Sequence, residues 1–337
     1  MNKKIGLVIQ GALLSVGRTG NKLHQTPEQL KKEGGVIEYD CRENIQKIID
    51  DFGHLFDEIV VSVFDNQLKD GDGWRGAKIV SASDPGGIKQ EGHYKDNNKY
   101  RQFLSTLNGL KELEKSGVQY AVKTRTDIYL DLEKLVHSFF SHVGDTQGSQ
   151  LIGATVVHPP TFLLHDLYFI SELQALKDFC ESILAYDQFE FIGSVHREMI
   201  LKHAHGKYRD LIGVPTWAYF PNFPPDGVSA ETRRIFEYMF NNVYFSLDPE
   251  IFKRTLWRGT YFDREHVENL VKAKSARRKI NVPALISTDW DRYYNFLLET
   301  SGRKITFFDR LRTRIGRLGW QMWNKLRSFV RTLISSR

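Results

Sequence analysis

The sequence predicts an α/β fold, a Rossmann-type sheet flanked by helices, and three observations predict it. Strand-like and helix-like segments alternate through the first 130 residues, the pattern of strand–crossover–strand units. The early strands are near-continuous apolar runs, Ile5-Gly-Leu-Val-Ile9 and Ile59-Val-Val-Ser-Val-Phe64, as in a covered parallel sheet. Finally, Tyr120-Ala-Val-Lys-Thr-Arg-Thr-Asp-Ile-Tyr-Leu130 starts in the same apolar way and then turns ionic. Such a strand ends at a cleft, because two cations and a carboxylate are not held dry inside a sheet without partners.

Composition narrows the classes. The chain has 337 residues, 41% hydrophobic, 12% aromatic and 26% charged, which is a globular protein with a real core. Its two cysteines, Cys41 and Cys180, are far apart and lack CxxC or Cys/His spacing. That argues against a zinc site and a disulfide-built fold, and makes a reducing compartment the default. The apolar run after Lys3 and Lys4 stops after about five residues, too short for a signal peptide. Nowhere do about 18 apolar residues run together, so no spanning helix is expected. The net charge of +6 is carried by the end of the chain: residues 303–337 hold ten Lys/Arg against Asp309, leaving residues 1–302 at −3. A body of that sign is not built for nucleic acid.

In chain order, residues 4–10 form the first strand and Gly11 follows where the chain turns. Leu13 to Asp40 is polar and glycine-containing and reads as a long loop. Ile45, Ile48, Ile49, Phe52 and Phe56 recur at helical spacing before the strand Glu58–Phe64, and Ala77–Ser81 is a third strand ended by Asp84-Pro-Gly-Gly87. From Asn98 to Lys115 an apolar stripe faces a core. The other side places Asn98, Arg101, Gln102 and Ser105 at i, i+3, i+4 and i+7, amide and guanidinium groups in place of the usual Lys/Glu mixture. Gln150–Val157 reads as a further strand, Ser171 as the cap of a helix reaching Cys180, and Ser194 to His203 as another helix.

Lys123, Arg125 and Asp127 alternate, so in extended backbone they leave one face together. They suit a diphosphate: the Asp can ligate Mg²⁺ or Mn²⁺, and the cations can compensate a leaving diphosphate. An exposed, salt-bridged strand end is the plainer alternative. Gln10-Gly11 offers backbone approach to a nucleotide. No GxGxxG or P-loop lysine is present, which disfavours a nicotinamide dehydrogenase or a P-loop kinase. Asp65 and Asp84 each follow a strand and either bind ribose or base or form an Asx-turn. Asp166 sits in apolar company where a carboxylate needs a partner. Glu198 is either a base for an acceptor hydroxyl or an ordinary helix residue. His196 and His203 lack HExxH spacing, which excludes that class of metalloprotease. In the tail, apolar residues from Phe308 to Leu333 step by three or four between Arg and Lys, with Trp320 and Trp323. A basic amphipathic helix on an anionic membrane is the preferred reading, and a docked terminal helix the alternative.

Val8-Ile-Gln-Gly11, Phe64-Asp-Asn-Gln67, Asn97-Asn-Lys-Tyr-Arg-Gln-Phe-Leu-Ser-Thr-Leu-Asn-Gly-Leu110 and Val122-Lys-Thr-Arg-Thr-Asp127 together resemble the WavE family of lipopolysaccharide-synthesis proteins, over about residues 4 to 200. The resemblance implies a bacterial glycosyltransferase of GT-A-like fold, in which Arg-Thr-Asp is similar to the Asp-x-Asp motif. It implies that Asp127 holds a metal and the sugar-nucleotide diphosphate, that Gln10-Gly11 meets the nucleotide, that Asp166 contacts the donor sugar or acceptor, and that Glu198 is a candidate base. Where the motif has two acids this chain has Arg125 first, so the divalent cation, Mn²⁺ or Mg²⁺, stays open. The expected organisation is a catalytic core at 1–210 (nucleotide-sugar half 1–130, acceptor half 131–210), an extension packed on it at 211–302, and a membrane-associating helix at 303–337. The expected function is transfer of a hexose, galactose or glucose, from a UDP-sugar to a lipid-linked saccharide of lipopolysaccharide or capsule, at the cytoplasmic face of the bacterial inner membrane. A sugar nucleotidyl- or phosphotransferase and a non-catalytic scaffold are the alternatives.

Overall fold

The structure, a computed structural model, describes residues 3–22, 27–87, 98–143, 151–154, 156–157, 163–186, 195–208, 238–239 and 242–262. The elements run β1 (Ile5–Gln10), β2 (Leu14–Gly17), α1 (Pro27–Lys32), β3 (Ile37–Asp40), α2 (Arg42–Phe52), β4 (Glu58–Phe64), β5 (Lys78–Ala82), α3 (Lys99–Lys115), β6 (Tyr120–Arg125) and β7 (Ile128–Tyr129). They continue with α4 (Leu132–Val143), β8 (Ile152–Ala154), β9 (Val156–Val157), β10 (Leu163–Leu164), β11 (Phe169–Glu172), α5 (Leu173–Leu184), α6 (Val195–Lys207), β12 (Tyr244–Ser246), β13 (Leu256–Trp257) and β14 (Thr260–Tyr261).

Seven strands form one mixed sheet in the order β12-β8-β11-β6-β1-β4-β5. β1 pairs in parallel with both β4 and β6, β4 with β5, and β8 with β12; β11 runs antiparallel between β6 and β8. This is the expected α/β class, a mixed sheet with flanking helices.

All six residues of β1 are buried because helices cover both faces. On one side Val8, Val60 and Ala121 meet Phe103, Leu107 and Leu110 of α3, with α5 and α6 extending that layer. On the other side Leu7, Ile9, Val61 and Val122 meet Ile45, Ile48 and Ile49 of α2 and Leu135 and Phe139 of α4. Each such Val, Leu, Ile or Phe, withdrawn from water, stabilises the fold by about 1.5–3 kcal/mol. The helix α3 lies very close to the sheet at Gly109, where a Cβ would come within 2.5 Å of Val8 Cγ1.

Four expectations need correction. Leu13–Asp40 is not all loop: β2 and β3 pair antiparallel, Leu14 with Asp40 through Gly17 with Ile37, and α1 lies between them. β2 turns Ser15 and Gly17 inward and leaves Leu14 and Val16 exposed, the reverse of the usual pattern. Ser171 caps nothing. It is buried in β11, where Oγ donates to Leu151 O at 2.7 Å, and α5 starts after Glu172. The strand expected at 150–157 is split into β8 and β9, which join different sheets. Finally, residues of the expected 211–302 extension do more than pack on the core: β12 extends the main sheet, and β13 pairs with both β7 and β14.

Candidate functional site

The chain leaves β1 to build β4 and β5 on one side, then returns to place β6 on the other. The crevice at the carboxyl ends of β1 and β6 is therefore the switch point where an open α/β sheet receives ligands. Gln10 and Arg125 are register partners there, and a cavity of about 410 Å³ opens beyond them. Thr126 N donates to Gln10 O at 2.9 Å and Thr126 Oγ1 to Ala12 O at 2.7 Å, which ties the two exits together. Gly11 makes that turn with φ 142, and a Cβ on it would lie 2.6 Å from Thr126 Oγ1. Its amide, expected to face a nucleotide, reaches instead toward Ser62 O at 3.3 Å.

Asp127 follows β6 in a tight turn and is only 3% exposed. Arg125 grips it side-on, Nε to Oδ1 at 2.9 Å and Nη2 to Oδ2 at 3.0 Å. Oδ2 also accepts from Ser15 Oγ at 2.9 Å and Trp257 Nε1 at 3.1 Å, and lies 3.0 Å from Arg258 Nη2. Burial by itself would raise this carboxyl, but the charges of Arg125 and Arg258 outweigh it and hold Asp127 well below the usual carboxylate range. For Arg125, burial works against the charged form, and Asp127 and Asp166 more than reverse it.

Arg258 comes from the two-residue turn between β13 and β14, where it and Gly259 have φ 48 and φ 76. A left-handed non-glycine residue is strained by roughly 1 kcal/mol or more and persists only where its surroundings hold it. Here they do: Arg258 N donates to Asp127 O at 2.9 Å, Nε to Ser15 Oγ at 3.0 Å and Nη1 to Arg18 O, and the guanidinium stacks 4.7 Å from the Trp257 ring. The expected cluster of Lys123, Arg125 and Asp127 thus includes three partners, Ser15, Trp257 and Arg258, that sequence reasoning missed. Trp-Arg-Gly-Thr at 257–260 carries only a weak hairpin signal, since Arg is not a residue that favours positive φ.

Lys123 does not face the cleft. It is 1% exposed, its Nζ donates to Asp166 O, and Leu167 O lies 3.5 Å away. Burial pushes its ammonium down to about 7, with Asp166 pulling the other way. Gln102 Nε2 donates to the same Asp166 O at 3.1 Å. Lys123 and Gln102 therefore fix the passage into β11, and Asp166 lines the cleft, with Oδ2 3.6 Å from Arg125 Nη1.

The polar side of α3 forms the opposite wall through Asn98, Arg101 and Gln102, while Ser105 is buried against β4 and donates to Ser62 O at 2.8 Å. Arg101 donates to Asn98 Oδ1 at 2.9 Å, pairs with Asp84 and lies 5.2 Å from the Phe64 ring centre. Asp84 meets both sequence readings at once. Its Oδ1 accepts from Gly86 N at 2.9 Å in an Asx-turn, and its Oδ2 accepts from Asn66 Nδ2 at 2.9 Å as well as Arg101. Asp65 accepts from Asn66 N at 2.8 Å and is not part of the cleft lining. Leu14 and Val16 give the cleft an apolar rim. Glu198 lies on α6, its side chain outside the described residues, as is all of 303–337.

The divalent cation implied by the resemblance does not fit these residues. A carboxylate offers about four lone-pair sites, and Asp127 already faces five polar hydrogens from four side chains, two of them guanidinium groups. A dication such as Mg²⁺, at its usual distance of about 2.0–2.1 Å, would have to displace them. Among the described residues no group of three or more His, Cys, Asp or Glu is arranged to hold a metal ion.

Fold and site together define an α/β protein with an arginine-lined cleft at a sheet switch point. The model of a family described as WavE lipopolysaccharide synthesis matches residues 34–171, the stretch that carries Arg101, Arg125, Asp127 and Asp166. Among curated proteins there is no match. Solved structures overlap it distantly. A putative nucleotide-diphospho-sugar transferase from Desulfovibrio desulfuricans is 10% identical, covering 70% of this chain and 95% of its own, with a TM-score of 0.35. A glycosyltransferase involved in glycosylation of the major capsid of PBCV-1 is 10% identical over 73% and 83%, with a TM-score of 0.31. A mannose-1-phosphate geranyltransferase from Thermus thermophilus is 12% identical over 58% and 67%, with a TM-score of 0.30. At such scores they bear on neither substrate nor mechanism.

Proposed function

We propose that the protein is a glycosyltransferase that moves a hexose from a nucleotide diphosphate sugar, UDP-linked, to a lipid-attached saccharide in lipopolysaccharide synthesis. The observation that carries the reading is the switch-point cleft whose floor and wall are Arg125 and Arg101, within the stretch matched by a lipopolysaccharide-synthesis family. Guanidinium groups there would meet the charge that builds on a departing diphosphate. In the transfer, the bond from the sugar's anomeric carbon to the diphosphate oxygen breaks and its electron pair stays on that oxygen. The acceptor oxygen bonds the carbon, and its proton passes to a carboxylate. Asp166 is the general base we assign to receive it, because the residue lines the cleft; Glu198 is the second candidate.

The basic amphipathic stretch 304–337 would hold the enzyme against anionic lipid, where such an acceptor resides. Among the described residues no helix is long and apolar enough to cross a membrane. Deleting 304–337 is expected to release the protein from anionic vesicles; unchanged co-sedimentation would remove this part of the reading.

The reaction is tested by supplying UDP-glucose and UDP-galactose with truncated lipopolysaccharide acceptors. Free nucleoside diphosphate and a heavier acceptor are expected. Release of nucleoside monophosphate or pyrophosphate would replace the reading by a phospho- or nucleotidyltransferase.

A further inference from the structure

We propose that this cleft binds its diphosphate with guanidinium groups and without a divalent cation, Asp127 acting as the internal counter-ion that aims Arg125. The inference rests on the nucleotide-sugar reading and concerns how that ligand is held.

The acid in the motif position has been turned to another use. Four of its five contacts converge on Oδ2, from Ser15, Arg125, Trp257 and Arg258, and the fifth, from Arg125 Nε, occupies Oδ1. A dication sharing either oxygen would lie against at least one guanidinium, with burial removing the water that would otherwise screen the repulsion. Asp166 does not offer a second anchor for a metal free of this problem. Its Oδ2 is 3.6 Å from Arg125 Nη1, so Arg125 stands between the two carboxylates where a bridging ion would have to be.

The same geometry leaves cation donors for an anion. Arg has five N–H groups, and Asp127 engages Arg125 through Nε and Nη2, which fixes the plane of the guanidinium where it lines the cleft, with Nη1 3.6 Å from Asp166 Oδ2. Arg101 on the facing wall has a buried Nε with no hydrogen-bond partner in the structure, although its Nη1 and Nη2 are paired. A buried donor without a partner is unfavourable unless a ligand supplies one. A diphosphate, with oxygens on two phosphorus atoms, would offer acceptors to Arg125 and, once the Arg101 side chain turns its Nε into the cleft, to Arg101.

The experiment titrates UDP, GDP and CDP in turn into the full chain by calorimetry, once in excess EDTA and once in Mn²⁺, with Mn²⁺ alone as a third titration. The expected result is that at least one nucleoside diphosphate binds with the same dissociation constant in both buffers and that Mn²⁺ alone gives no binding heat. Arg125→Lys, which keeps the charge but loses the fork, is expected to weaken that binding by about tenfold or more. Binding that appears only with Mn²⁺, or tightens about tenfold with it, overturns the metal-free proposal and leaves the nucleotide-sugar reading standing. Binding in neither buffer overturns the nucleotide-sugar reading, and the proposal with it. Should Arg125→Lys fail to fold in a thermal melt, the wild-type comparison between buffers still decides.

Discussion

The Asp127 carboxylate and the Arg258 guanidinium stand 3.0 Å apart, and Arg258 N donates to Asp127 O at 2.9 Å, so the turn after β6 is tied to the β13–β14 hairpin by side chain and main chain together. Both side chains are almost wholly buried. Removing Arg258 leaves Asp127 paired with Arg125 but strips its Oδ2 of one buried charged partner, at a cost of about 1–3 kcal/mol. Arg258→Met is therefore expected to lower unfolding free energy by about that amount in urea titration. Asp127→Asn should do the same, and the double variant should lose clearly less than the sum. Strict additivity would show that the two residues are not coupled.

Acid stability follows from the same carboxyl. Its folded value lies below the unfolded one of about 3.9, so the folded state binds fewer protons in that window. The contribution is complete above the unfolded value and is lost as pH falls through the folded one. Wild-type stability is expected to drop on acidification below about pH 4 more steeply than that of Asp127→Asn. Parallel curves in denaturant titrations at a series of pH values would contradict this.

Lys123 gives the opposite window. Its ammonium is pushed down to about 7, whereas an unfolded lysine titrates near 10.4. Between those values the unfolded state binds more protons, so stability rises with pH, by up to about 1.4 kcal/mol per unit. Relative to Lys123→Met, the wild type is expected to gain stability from pH 7 to pH 9. A difference that stays flat would mean that the Nζ remains charged beside Asp166 O.

Gly11 tests the strand exit. Alanine there would place a Cβ 2.6 Å from Thr126 Oγ1 at φ 142, straining the turn. Gly11→Ala is expected to destabilise the protein by about 1–3 kcal/mol and to weaken nucleotide binding. A variant with unchanged melting and binding would show that the Gln10–Thr126 contact does not shape the cleft.

The sheet was legible because β1, β4 and β6 are buried on both faces and so write continuous apolar runs, and α3 because its apolar stripe is long. Asp127 and Arg125 were legible as a pair through their spacing. Their roles were not, since the residues that saturate Asp127 arrive from Ser15 and from Trp257 and Arg258, and no local pattern links those three positions. The expectation that Asp127 ligates a metal came from the alternating cluster and from the motif it resembles, and the geometry gives its oxygens protein donors. Lys123 was misplaced for a related reason. Alternation predicts which face a side chain leaves by, but not that the β11 passage folds over it.

The most direct test of the account is calorimetric titration of UDP-glucose and UDP-galactose into the wild type and into Arg101→Gln, which alters the cleft wall near the amino end of α3. The account predicts that the wild type binds at least one of these donors and that the variant binds it about tenfold or more weakly while melting at a similar temperature. Equal binding by the two proteins, or no binding of either donor to the wild type, would contradict it.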